Sequence, residues 1–551
     1  MTKLWIHIIL ARLAVIIVAL FIVSGGVRGQ VPFIQAPAFD AAWVEADDLE
    51  QAEAGNLPLY GRMLPIMAET ELDGVWSDEG NERVWRLGIS SPGALAMECF
   101  LDRMEVPEGA TLSILLPDGS AMAKAVPIEL PVQVHEFSTA MVAGDACIIE
   151  YREPITTAGR GSFRVAQVSH AYRDVEDLTA REGSCHVNVA CEPESIGWEG
   201  PIRATVRISV VTPQGTGWCT GTLVNNIRED CSPYILTAWH CGRTSTTAQF
   251  NQYKFYFNFQ YANCNGGAYS TAQYLTGSQL KAYSDDYDPQ YAGVGGSDFM
   301  LLRLNVPVPE AFEPYWAGWD ARNIATVTAD GVCIHHPTGA PKRISSFTQT
   351  VTTGHPMTSS GLQTHYRVKW APTQNGFGVT EVGSSGSGLF SPNSSLGPLL
   401  IGTLTGSSSG MTCTNNSGTS YFGKTSYHWT NNPNTQAQKL KAWLDPDGTG
   451  ALMQGGSADP CGTASAIPEF ITGQTLSLCP NPASEQLVVR AAAGTAMNYQ
   501  VLDNTGKLVL DGSMIEGHAT IDLSALSNGY YLLRTISSDH MPASTPFIIS
   551  H

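Results

Sequence analysis

Charged side chains are scarce in this chain of 551 residues: they make up 15% of it, against a usual share of about 25%. Cations are the scarcer sign, with 31 Lys and Arg against 50 Asp and Glu, for a net charge of −19. No Lys/Arg-rich run occurs anywhere. These absences argue against nucleic acid as a partner. None of the 12 cysteines stands in a tight C-x-x-C pair, which removes the common zinc spacing and favours disulfides formed in an oxidising compartment. Beyond residue 29 there is no apolar run of the about 20 residues that a membrane helix needs.

What is present is glycine, 54 residues of it, spread between short apolar runs, as in a turn-rich β protein. The length suits about three domains. Lys3 and Arg12 lead into apolar Leu13–Val23 and then small residues, so residues 1–29 read as a signal peptide, with an uncleaved anchor as the alternative. Residues 30–181 read as a β-rich block with Cys99 and Cys147 as one candidate bridge. Residues 182–455 alternate short strands with Gly/Ser/Asn loops and end in a helical pattern, Ala437, Leu440, Trp443 and Leu444. Asp445-Pro446-Asp447-Gly448 follows, read as the helix end rather than a calcium loop. Residues 456–473 form a Gly/Ser/Ala-rich linker. Residues 474–551 carry alternating strands and Gly turns, as a small β-sandwich does.

Three segments of the middle block carry chemistry. His240 follows the apolar stretch Tyr234–Thr237, beside Cys241. Asp298 opens the apolar stretch Phe299–Leu302. Ser385 lies in the small-residue turn Gly383-Ser384-Ser385-Gly386-Ser387-Gly388. A serine hydroxyl becomes nucleophilic when an imidazole takes its proton, and the imidazole needs a carboxylate to fix its tautomer. Asp285, Asp286 and Asp288 are nearby carboxylates in a polar loop. They suit the role less well than Asp298, which leads into a buried strand.

The order His, Asp, Ser is that of the chymotrypsin-like serine proteases. The middle block resembles the bacterial lysyl endopeptidases, a branch of the trypsin-like enzymes. The shared pieces are Cys219-Thr220-Gly221-Thr222-Leu223, Leu236-Thr237-Ala238-Trp239-His240-Cys241, Ser297-Asp298-Phe299 and Trp316-Ala317-Gly318-Trp319-Asp320. Ile334-His335-His336-Pro337, Lys342-Arg343-Ile344-Ser345, Gly383-Ser384-Ser385-Gly386-Ser387 and Trp443-Leu444-Asp445-Pro446 follow in order. The last block is similar to the C-terminal sorting domain of type IX secretion, through Pro480-Asn481-Pro482-Ala483-Ser484, Asp503-x-x-Gly506-Lys507 and Leu526-x-x-Gly529-x-Tyr531.

The resemblance implies a mainly β chain: a chymotrypsin-like double β-barrel protease between an N-terminal β-rich pro-domain and a C-terminal small β-sandwich. It implies a secreted or cell-surface serine endopeptidase made as a precursor, acting on polypeptides through an acyl-enzyme. Ser385 would be the nucleophile, His240 the general base, Asp298 its orienting carboxylate, and the amides of Gly383 and Ser385 the oxyanion hole. No cofactor and no metal are implied, and His335 and His336 read as structural. Implied disulfides are Cys185–Cys413, Cys191–Cys264 and Cys219–Cys241. The leftover Cys231 and Cys333 are paired by elimination, and Cys461 with Cys479 would close the linker.

Two departures qualify the likeness. Ser384 stands where chymotrypsin has an aspartate that captures a new N-terminus, so activation should come from removing the pro-domain, by a cut between residues 166 and 183, such as Arg181–Glu182. Ser420 stands where the family's pocket wall has an aspartate for the substrate lysine, and Val379 and Thr380 at the pocket base are uncharged. A lysine ammonium would be buried there without a counter-charge. The alternatives are an inactive homologue that binds protein at the cell surface and a hydrolase of small esters.

Overall fold

The computed structural model describes residues 31–53, 57–120, 128–129, 135–157, 159–173, 183–284, 296–323, 330–354, 363–392, 395–408, 411–462, 477–479, 483–490, 497–503, 507–514, 518–536 and 543–551. The expected signal peptide, the bond Arg181–Glu182 and Asp285, Asp286 and Asp288 lie outside them. Two compact units are present, residues 1–460 and 461–551.

The first unit begins with helix α1 (Ala41–Glu53) and strand β1 (Leu59–Glu69). Strands β2 (Ala96–Glu105) and β3 (Ser162–Ala171) complete a ladder in the order β1, β3, β2. A six-stranded sheet centred on Glu82–Ser90 and Ala146–Pro154 packs against this ladder. Trp85, Leu87, Ile149, Tyr151, Val165 and Leu101 fill the space between them. Cys99 and Cys147 meet in that core as free buried thiols, so the expected bridge is not formed. The hydrogen bond with Cys147 and burial together hold the Cys99 thiol well above its usual range.

The middle block starts with β4 (Thr205–Val211) and β5 (Gly215–Val224), both buried along their whole length. In β4 the β-branched residues Val206, Ile208 and Val210 alternate, as a pleated strand with a packed face requires. Strand β6 (Tyr234–Thr237) pairs with β5. Strand β7 (Lys254–Tyr256) pairs with β4. Strand β8 (Phe299–Leu304) pairs with β6. The outer edge of β5 is taken by β1 of the N-terminal block, Gly215 opposite Arg62 and Thr216 opposite Gly61. Glycine is needed for this approach: a Cβ on Gly217 would lie 2.6 Å from Leu57 and 2.9 Å from the Pro58 carbonyl. One twelve-stranded sheet therefore runs through both blocks.

A ten-stranded sheet forms the second half of the protease block. Its centre comprises β9 (Gly331–His335), β10 (Arg343–Phe347), β11 (Gly388–Ser391), β12 (Leu399–Ser407) and β13 (Ser420–Lys424). They stand in the order β10, β9, β11, β12, β13. The architecture is mainly β, with Leu236, Phe299, Leu301, Trp319, Ile334 and Phe390 in a core to which both sheets contribute. The helix expected near residue 440 shrinks to the single turn Lys441–Leu444. A Thr435 capping box closes Gln436–Gln438 as a separate 3₁₀ turn, so the two never merge. Asp445 accepts from the Thr449 amide at 2.8 Å and from the Gly450 amide within its own loop, and Asp447 pairs with Arg228 on the segment that follows β5.

Disulfides join Cys185 to Cys413, Cys191 to Cys264 and Cys219 to Cys241. The expected Cys231–Cys333 bond is corrected. Cys231 and Cys461 are both disulfide-bonded, whereas Cys333 is a free thiol. Cys333 lies in the middle of β9 without exposure, 3.1 Å from the Ser387 hydroxyl. Burial pushes its thiol up to about 12. The Cys479 side chain is outside the described residues. In the second unit a three-stranded and a four-stranded sheet share a core of Leu487, Val489, Val501, Ile521, Leu533 and Phe547.

Candidate active site

Strand pairing brings the histidine and the aspartate together. Thr237 on β6 stands opposite Met300 on β8. His240 therefore sits in the helical turn just after one strand, and Asp298 just before the other. The Asp298 carboxylate has no exposure. One of its oxygens lies 2.7 Å from His240 Nδ1 and the other accepts from the His240 amide at 2.9 Å. An acceptor at Nδ1 keeps the proton there and leaves Nε2 as the basic nitrogen. Asp298 has a φ of +49°. Such a left-handed non-glycine residue is strained, and strain of this kind gathers where geometry is tightly demanded.

The Ser385 turn is held to the first barrel by β5. The Thr220 amide donates to the Ser385 carbonyl at 2.8 Å, and the Thr220 hydroxyl donates to the Gly383 carbonyl at 2.9 Å. Sγ of Cys241, next to His240, lies 3.9 Å from the Ser385 carbonyl. Within the turn, the Ser384 amide donates to Glu381, that of Gly386 to Leu404 and that of Ser387 to Ser384. The amides of Gly383 and Ser385 donate to no group among the described residues. The Val382 carbonyl is taken at 2.5 Å by the Thr338 amide. In a trans peptide the N–H points opposite to the carbonyl, so the Gly383 N–H faces away from Thr338. Gly383 has a φ of +89°, and a Cβ there would lie 2.8 Å from the Gly339 nitrogen and 2.9 Å from the His336 carbonyl. Only glycine fits.

The adjacent histidines diverge, as strand alternation requires. His336 Nδ1 lies 2.8 Å from the Ala340 carbonyl, and its ring stacks on Phe259. His335 instead reaches the turn: Nδ1 lies 2.8 Å from the Ser384 hydroxyl and Nε2 lies 2.9 Å from the Ser345 hydroxyl. Burial first, then neighbouring cations, holds both imidazoles well below their ordinary range.

Of the expected pocket residues, Thr380 and Ser420 meet at 2.8 Å. Ser407, which sequence reasoning missed, lies 2.7 Å from Thr380 and 2.9 Å from Ser420. The Trp370 indole donates to Ser420 at 3.0 Å. Val379 is buried with Trp370, Phe422 and Leu404. Glu381 turns to the start of the protease block, where His186 Nε2 is 2.9 Å away and the Gly183 amide 3.4 Å. Burial raises the Glu381 carboxyl, but these contacts outweigh it and leave it below the usual carboxylate range. Cys413 lies beside this pair but is spent in its disulfide, so the trio is no metal site. On the other side of His240, Gln51, Leu57 and Leu59 of the N-terminal block line a cleft with Thr212, Gln214 and Arg243.

Two segments of the chain match known protein families. Residues 179–423 match the family described as lysyl endopeptidase, C-terminal domain. Residues 477–550 match the secretion system C-terminal sorting domain. A lysyl endopeptidase of Pseudomonas aeruginosa is 27% identical over 348 residues, which are 59% of this chain and 69% of that protein. Among solved structures, the thermostable serine protease AL20 from an extremophilic microorganism is 16% identical, covering 41% of this chain and 92% of its own, with a TM-score of 0.29. Protease Anisep from Arthrobacter nicotinovorans is 18% identical, covering 41% and 91%, with a TM-score of 0.28. The chain is a secreted or cell-surface serine endopeptidase, similar over residues 179–423 to the lysyl endopeptidase C-terminal domain and over residues 477–550 to a type IX sorting domain.

Proposed function

We propose that His240, Asp298 and Ser385 hydrolyse peptide bonds as one unit. Ser385 Oγ attacks the scissile carbonyl while His240 Nε2 takes its proton. Asp298 stabilises the resulting imidazolium, and the Gly383 and Ser385 amides hold the oxyanion. The imidazolium gives its proton to the leaving amine, and an acyl-enzyme remains. Water, deprotonated by His240, then releases the acid and restores Ser385. The observation that carries this reading is the double contact of Asp298 with His240, through the ring and the backbone of the same residue.

The pocket wall is uncharged in this reading, so cleavage follows small or apolar residues rather than lysine. Residues 30–181 act as a pro-domain, a role supported by the Gln51, Leu57 and Leu59 side chains beside His240. Labelling the secreted protein with a fluorophosphonate tests the unit. The label should fall on Ser385 and vanish in Ser385→Ala. Labelling that persists in this variant would transfer the role to another serine.

A further inference from the structure

The turn that carries Ser385 lacks the acidic residue by which a freed N-terminus could hold it, since residue 384 is serine. Something else must keep the Gly383 N–H aimed outward. Residues 335–339 do so as a cradle. The Thr338 amide fixes the Val382 carbonyl. The His336 amide donates at 3.1 Å to the Thr220 hydroxyl, which in turn holds the Gly383 carbonyl. His335 reaches the Ser384 side chain, and Ser384 Oγ accepts from the Glu381 amide at 3.2 Å. Ser384 therefore ties both ends of the bend to β9.

We propose that His335 is a positioning residue for the oxyanion turn: Ser345, His335 and Ser384 form an uncharged hydrogen-bonded chain that keeps the Gly383 and Ser385 amides unbonded and directed at the reacting carbonyl. The inference rests on Ser385 being the nucleophile. It assigns to His335 a task beyond the structural reading of the His335–His336 pair.

The direction of the chain follows from counting protons. Ser384 is fully buried, and its oxygen already accepts from Glu381. Among the described residues its own proton has one acceptor within reach, His335 Nδ1. A buried hydroxyl proton without an acceptor is costly. Ser384 therefore donates to Nδ1, and Nε2–H donates to Ser345. A charged imidazole would carry protons on both nitrogens and would displace the Ser384 proton. Burial opposes that charge, as do His186, whose ring centroid is 5.7 Å away, and Arg343. The described geometry belongs to a chain whose N-terminal block is still packed on β5. The turn is thus already shaped before any cut is made.

The test compares His335→Leu, His335→Asn and Ser384→Ala in the secreted protein. Asn can return an amide oxygen to the Ser384 hydroxyl; Leu cannot. Three quantities are read: the rate of fluorophosphonate labelling at Ser385, kcat and KM on a peptide, and the affinity for a peptide aldehyde, whose adduct places an oxyanion against the two amides. His335→Leu and Ser384→Ala should lower kcat by about 10²-fold, the scale of losing one oxyanion donor, with KM nearly unchanged. Aldehyde affinity should fall in parallel, and Asn should restore a large part of both. Normal kcat in a folded His335→Leu, a loss in KM alone, or equal losses in Leu and Asn would overturn the proposal. Where His335→Leu fails to fold, Ser384→Ala decides. A wild-type protein that takes no label at Ser385 would overturn the nucleophile assignment and the proposal together. A labelled wild type with unaffected variants would overturn the proposal alone.

Discussion

Lys254 on β7 and Glu98 on β2 form an ion pair in which neither side chain is more than 1% exposed. One partner belongs to the protease barrel and the other to the N-terminal block. Ser138 of the same block adds a second contact to the ammonium at 2.7 Å. Burial drives the Lys254 ammonium well below its usual range. Removing one member of such a pair leaves the other unpaired in the interior, at a cost of about 3–5 kcal/mol. Glu98→Leu and Lys254→Met should each destabilise the full chain by that order. The double variant Glu98→Leu/Lys254→Met should recover most of the loss. Denaturant unfolding of the four proteins measures the coupling.

Catalysis should fail as a unit. His240→Ala and Ser385→Ala should each lower kcat by about 10⁶-fold, and the double variant should lose no more than either alone. Additive losses, read from steady-state peptide hydrolysis, would mean that the two side chains do not share one step.

The hydroxyl cluster of Thr380, Ser407 and Ser420 should reject a lysine at the cleavage site, since a desolvated ammonium would gain hydroxyls and no counter-charge. Ser420→Asp supplies the missing charge where the Trp370 indole can also donate to it. A peptide-library profile should show small or apolar preference in the parent chain and a shift toward lysine in the variant. Dominant cleavage after Lys or Arg by the parent chain would refute this reading of the pocket.

Glu381 makes the start of the protease block sensitive to acid. Its carboxyl lies below the usual range in the folded chain because His186 and the Gly183 amide outweigh the burial that raises it. A group with a depressed folded pKa contributes stability that is present above its unfolded value of about 4.3 and is lost as the pH falls through the lower folded value. Urea midpoints measured from pH 7 downward should fall below about pH 4.3, and Glu381→Gln should flatten that part of the curve.

Deleting residues 474–551 should stop export while leaving the purified protease active, because the sorting domain holds its own core. Fractionation of cells into periplasm and medium, with peptidase assays on each, checks both halves of the statement.

The meeting of His240 and Asp298 was legible because each is marked locally, by an apolar strand that ends or begins beside it. It depends on β6 pairing with β8, which such strands do readily, whereas the Ser385 turn is tied to Thr220 of β5. The role of His335 was not legible. Its partner Ser384 lies 49 residues away, and alternation along a strand says only that adjacent histidines face opposite sides. His186 and Glu381 are separated by 195 residues and carry no shared motif. Cys231 and Cys333 were joined by elimination. Elimination cannot register that Cys333 lies in the middle of a buried strand with its thiol on Ser387. The pairing of β1 with β5 escaped for a similar reason. Each strand reads as an ordinary alternating or Gly-rich segment, and nothing in either names the other.

That shared sheet bears on how the enzyme ages. β1 precedes β5 in the chain and pairs with its edge, so it can act as a template for the later strand when the exported chain folds. If the N-terminal block is cut away as proposed, the template goes with it while the rest of the first unit remains. A barrel stripped of its template is expected to persist because its unfolding is slow, and a molecule that does unfold has no route back. Its working life would then be set by a rate rather than by an equilibrium, and each molecule would fold only once.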